Sequence, residues 1–323
     1  LLVLCIALLS LSGSLQAWEP NAKDLDADHC EMRRGQDRNF RQGGPPANRT
    51  FLKWLLNDTQ AMDLYLEGGT AKDEAYGESL GVWRTIFDAD PDSRAGMYRR
   101  LAIATSLAHA TPSNCFGYGE EINPLKRYQH FKAAYKNNEL AAYFGDLTVW
   151  EYAKVVDTSA SDKDIAWARQ MLRTMRPELS REARYVRMVS EVQYGTGDWG
   201  PKPHSMATIL NGGGKCGPRA WFGRKINTAF GVPVWGVKQP GHAAVGFLGD
   251  SGWKVMFGRG WDKSTWDGMN GNKFLEIVRD RQYAEDFSQA EHLRWLAEAG
   301  GTQLALWVSG GAALATVAVA AAV

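Results

Sequence analysis

The sequence predicts an α+β protein, an all-α domain followed by one helix and a short antiparallel sheet. Three observations carry this. Apolar residues recur at helical spacing from 48 to 180. Near 180 the chain turns glycine-rich and its apolar residues begin to cluster in short runs. In that second part, a helix with clear start and stop signals leads into three β-rich segments separated by turns.

The elements follow in order. Residues 1–17 form an apolar stretch that ends in small residues, Ser12-Gly-Ser-Leu-Gln-Ala17, as in a secretory signal peptide. Residues 18–47 are polar and read as an extended leader. Phe51, Trp54, Leu55 and Leu56, then Leu80, Trp83, Ile86 and Phe87, are spaced for helices. Further helices are expected over 94–110, 124–137, 148–156 and 161–175. Asp146 or Thr148 would cap the third of these, and Pro177 would end the last. Together 48–180 reads as a domain of five or six helices.

A transitional loop, 194–203, leads to Gly212-Gly-Gly-Lys-Cys-Gly-Pro-Arg-Ala-Trp221. Pro218 suits a first helical turn, and Gly231 after Phe230 suits a left-handed cap. Strands are expected over 232–237, 242–248 and 253–257, with turns at Gln239-Pro-Gly and Gly249-Asp-Ser-Gly252. This second domain spans 181–285 and is followed by a helical linker, 286–303. Residues 304–323 carry no charge, and twenty residues at ~1.5 Å each would cross a ~30 Å hydrocarbon layer. That run reads as a membrane anchor, which with the signal places the protein in the secretory pathway, outside the cell or anchored to its membrane.

Composition narrows the function. A net charge of +1, with no basic block, gives no reason to expect nucleic acid. Once Cys5 leaves with the signal, Cys30, Cys115 and Cys216 remain. In an oxidising compartment the simplest arrangement pairs Cys30 with Cys115 and leaves Cys216 odd. Asn48-Arg-Thr50 and Asn57-Asp-Thr59 are glycosylation sequons. The histidines lack metal-ligand spacing, no Asp/Asn-rich calcium loop is present, and Gly212–Lys215 lacks the spacing of a phosphate-cradling loop. No metal or cofactor is expected.

The odd cysteine stands where a helix starts, a setting whose free N–H donors and positive dipole end favour thiolates. His242 follows twenty-six residues later, opening a strand. Gly-Lys-Cys-Gly-Pro-Arg-Ala-Trp, then Gly-His-Ala-Ala, then Gly252-Trp253 at the third strand, resembles the transglutaminase-like superfamily of cysteine acyltransferases and hydrolases over residues 190–265. The resemblance implies a Cys–His arrangement acting on an amide or ester carbonyl of a protein, peptide or glycopeptide. Cys216 would attack, His242 would shuttle the proton, and the Cys216 N–H would help bind the oxyanion. Gly214, Lys215, Gln239 and Trp199 would line the substrate cleft.

One member departs from that pattern. The superfamily carries an Asp about four residues after the Gly-Trp tryptophan, and counting from Trp253 lands on Phe257. Asp262 is the nearest replacement. Gln239, a backbone carbonyl or a residue of the helical domain are the other ways to orient the imidazole. The missing Asp and the thirteen tryptophans support an alternative, a catalytically inactive module of the same fold that binds glycan or protein ligands.

Overall fold

The computed structural model describes residues 45–116, 119–195 and 204–282, with the backbone alone for 45–49. The protein is α+β, with helices predominating over one five-stranded antiparallel sheet. It divides into two compact units. One comprises Leu1–Thr70 with Asp280–Val323, and the other is Ala71–Arg279. The expected signal, residues 18–44 of the leader, Cys30, Trp199, helical linker and 304–323 anchor lie outside the described residues, whereas 45–47, expected to be extended, are helical. Among the described residues, no helix is long and apolar enough to cross a membrane.

In the first unit, α1 (Pro45–Asn57) and α2 (Thr59–Glu67) are separated at Asp58. The Asp58 carboxylate accepts from the Ala61 N–H at 2.9 Å, which caps α2 and separates it from α1, the helix that carries Phe51, Trp54, Leu55 and Leu56. The side chain of Asn57, in the second sequon, donates to the Lys53 carbonyl at 2.6 Å.

The second unit holds the remaining helices of the expected helical domain together with the sheet. Its helices are α3 (Tyr76–Ala89), α4 (Gly96–Ala108), α5 (Pro124–Lys136), α6 (Val149–Val156), α7 (Asp162–Met175) and α8 (Pro177–Arg181). Thr148 and Glu151 form a reciprocal capping box on α6, so Thr148 rather than Asp146 is the cap. Ser161 caps α7 through the Asp164 N–H at 3.1 Å. Pro177 ends α7 as expected, and it also begins α8, where its missing N–H leaves no bond unmade.

Buried arginines tie these helices together. Arg127 of α5 is 1% exposed, and its guanidinium donates to the carbonyls of Val156 (3.1 Å), Thr158 (3.0 Å) and Ala160 (2.7 Å). Its Nε meets the Asp162 carboxylate at 2.6 Å. One side chain thus satisfies the carbonyls of the connection between α6 and α7. Beside it, His109 Nε2 lies 3.1 Å from the Val156 carbonyl, and burial with the Arg127 charge pushes its pKa down to about 4. Arg169 of α7 pairs with Glu139 and donates to the Ala229 carbonyl at 2.9 Å.

That carbonyl belongs to the helix that matters most, which runs Cys216–Ala229 (α10) and follows the short α9 (Met206–Gly212). The expected stop is observed: Gly231 has φ 74°, and a Cβ there would lie 2.4 Å from the Phe144 ring. The strands are β1 (Val234–Gln239), β2 (His242–Gly249), β3 (Gly252–Met256), β4 (Thr265–Trp266) and β5 (Met269–Asn270), in the order β3-β2-β1-β4-β5. The expected meander supplies three of them. The two-residue strands β4 and β5 and the helix α11 (Gly271–Gln282) have too short or too polar a pattern to show in the sequence. One face of the sheet packs Trp235, Val237 and Ala244 against Phe274 of α11, with Trp150, Trp253 and Trp261 around them. Phe274 stacks on Trp235 at 4.5 Å between ring centroids.

Candidate active site

Cys216 is the first residue of α10, half-buried, and among the described residues its thiol forms no disulfide. Lys215 stands at the N-cap, exposed, and provides no side-chain cap. The first-turn donors of α10 therefore receive no cap from the N-cap residue. Pro218 is buried in that turn, as its position suggested. The glycines before the thiol have a different task from the one expected. Gly214 is buried and paired with Tyr194, its N–H donating to the Gln193 carbonyl at 2.9 Å. Gly213 has φ 70°, and a Cβ there would lie 2.5 Å from that carbonyl. They fix the loop against 193–195, and Arg219 tightens it by donating to the Val192 carbonyl and covering the Tyr194 ring.

Topology brings the thiol and the imidazole to one end of the unit. Four residues connect α10 to β1, so β1 runs back along the helix, and β2, antiparallel to β1, runs in the same direction as α10. Helix and strand meet where a Cβ on Gly223 would lie 2.9 Å from Val245 Cγ2. Cys216 lies seven residues before Gly223, ~10 Å along a helix. His242 lies three residues before Val245, also ~10 Å along a strand.

The imidazole does not reach the thiol in this arrangement. Val245 faces α10, whereas Ala244 joins the Trp235–Phe274 cluster on the other face. Side chains alternate along a strand, so His242 shares the Ala244 face. There its Nε2 lies 2.6 Å from the Phe257 carbonyl, and no hydrogen bond joins it to Cys216. The ring is exposed.

Two expected partners are reassigned. Asp262 sits on the turn Trp261–Lys263 with its side chain 59% exposed, 3.2 Å from Lys263 Nζ, and makes no hydrogen bond to His242. The turn that carries it leads into β4, which pairs with β1 on the side away from β2. Gln239 is opposite His242 in the hairpin, but its amide is fully engaged. It donates to the Arg259 carbonyl (2.9 Å) and Ser264 Oγ (3.0 Å) and accepts from the Arg259 N–H (2.8 Å). Gln239 therefore clamps the 259–264 loop rather than lining a cleft.

The group that meets the imidazole is the backbone carbonyl of Phe257, the residue reached by counting from Trp253. Phe257 is an exposed aromatic at φ 62°, a conformation that costs ~1–2 kcal/mol for a residue with a Cβ. Sequence reasoning could not single it out, because a carbonyl is common to every residue. If Nε2 donates to it, Nδ1 keeps the lone pair of a base. A neutral carbonyl fixes the tautomer but lends no charge to an imidazolium.

The other described cysteine is of a different kind. Cys115 is buried and forms no disulfide among the described residues, and burial pushes its thiol up. Among the described residues, no cluster of His, Cys, Asp and Glu could hold a metal ion. Comparison with models of known families, with curated proteins and with solved structures finds no match for this chain.

Proposed function

We propose that this chain is a transglutaminase-like cysteine enzyme that performs acyl transfer or amide hydrolysis in the secretory pathway, on a protein, peptide or glycopeptide. The observation that carries this reading is the placement of Cys216 and His242. Each is the first residue of its element, and the two elements run in the same direction and begin at the same end. Cys216 passes its proton to His242 as its Sγ attacks the carbonyl carbon, and the tetrahedral oxyanion is met by first-turn N–H groups of α10. His242 gives its proton to the leaving amine or alcohol as the C–N or C–O bond breaks. Water or an amine then attacks the thioester, returning its proton through His242 and freeing the thiol. Productive geometry requires the exposed imidazole to swing from the Phe257 carbonyl around the end of β2 towards the thiol.

The test is hydrolysis of p-nitrophenyl acetate and of peptide amides, with intact-mass detection of an acyl group on Cys216. Cys216→Ala and His242→Ala should each lower the rate by about 100-fold or more. Asp262→Asn should stay within about twofold, because Asp262 does not touch the ring. The second reading, a non-catalytic module binding glycan or protein ligands, is favoured by the imidazole's position on the sheet face opposite α10. No acyl group on Cys216, and no hydrolysis by the parent chain above that of Cys216→Ala and His242→Ala, would hand the chain to that reading.

A further inference from the structure

At the far end of α10 from Cys216, a cleft of about 190 Å³ opens between the hairpin β2–β3, the end of the helix and the 182–187 segment. Phe247, Met256, Val186 and Val232 provide apolar wall. Asn227 also lines the cleft; it is 1% exposed, and its Nδ2 donor has no hydrogen-bond partner. A buried amide donor without a partner is costly and uncommon. Of the charged groups at the rim, Arg184 is paired with Glu182. Among the described residues Arg187, Lys254 and Asp250, which all line the cleft, form no ion pair. Lys254 leans over the Phe247 ring, 5.5 Å from its centroid, which brings an ammonium next to apolar wall.

We infer that this cleft is a binding site for a small organic carboxylate with an apolar body. The body covers Phe247 and Met256, and the charge is met by Arg187 and Lys254 at the rim. Asp250 and Glu182 oppose dianions such as phosphate, so a single negative charge on an apolar frame is the better match. This inference does not depend on catalysis at Cys216.

Benzoate is the probe, titrated into the full chain and followed by ligand-observed NMR and calorimetry. Benzoate should bind with a Kd of about 10 mM or tighter, and neutral benzamide at least about tenfold more weakly. Arg187→Gln and Lys254→Met, both at accessible rim positions, should each weaken benzoate about fivefold or more while leaving the melting temperature unchanged. Cys216→Ser should bind benzoate like the parent chain. Benzamide binding as well as benzoate, inorganic phosphate displacing it, or no loss in the two charge variants would overturn the proposal, as would no binding of benzoate at all.

Discussion

The connection between α6 and α7 and the start of α10 present the same physical problem and solve it in opposite ways. Both leave backbone polar groups without partners inside a helix. At the connection, Arg127 is sent from a third helix to take three carbonyls and a carboxylate, and it is sealed from water. At the start of α10, the N-cap is an exposed lysine whose side chain does not cap the helix, and the first residue is a half-buried thiol. Two glycines fix the loop but fill none of the space around the thiol. A protein that satisfies backbone carbonyls so thoroughly in one place leaves the start of α10 to an exposed lysine and a half-buried thiol, while its other described thiol, Cys115, is buried and pushed up.

Breaking the sealed end should have the largest effect. Arg127→Met strands the carbonyls of Val156, Thr158 and Ala160 and leaves Asp162 without its partner. A loss of about 3–5 kcal/mol in unfolding free energy is expected, read from urea denaturation. If the variant unfolds within about 1 kcal/mol of the parent, the Arg127 network is dispensable and the contrast with α10 fails.

Acid should attack the same end. The pKa of His109 is held down to about 4 by burial and by Arg127, against about 6.5 in the unfolded chain. The unfolded state therefore binds the proton first. The stability due to neutral His109 is complete above about pH 6.5 and is lost as pH falls towards 4 and below, up to about 3 kcal/mol. His130, lowered to about 4 by burial and Arg169, adds in the same direction. Urea midpoints between pH 7 and 4.5 should fall more steeply in the parent than in His109→Gln. Equal slopes would mean that His109 does not govern the acid limb.

The open end should respond more gently to stability and more sharply to chemistry. Gly213→Ala forces a side chain at φ 70° towards the Gln193 carbonyl, and a loss of about 1–2 kcal/mol is expected. Because Gly213 positions the loop before Cys216, the alkylation rate of Cys216 by iodoacetamide should change as well, while Cys115 stays protected. A stability loss with no change at Cys216 would separate the loop from the thiol.

Much of this was legible because its causes are local. The cap at Thr148, the stop at Gly231 and the helix start at Cys216 each depend on residues within four positions of one another. The start of α2 has an equally local cause, the Asp58 cap, which apolar spacing does not reveal. The short strands β4 and β5 were not legible, since two residues carry no periodicity and exist only because β1 offers an edge.

By itself the sequence determined the α+β class, the order of the principal elements, and the positions of Cys216 and His242 at the starts of a helix and a strand. Only the tertiary structure decided what those two residues meet. Gln239 reaches twenty residues to Arg259 and twenty-five to Ser264, and His242 reaches fifteen to the Phe257 carbonyl, while Asp262 faces solvent. Such contacts are set by strand register and by the path of a loop, and a backbone carbonyl has no residue identity to read. Local propensity is written in neighbouring residues, whereas the partner of an imidazole is fixed only when distant segments pack.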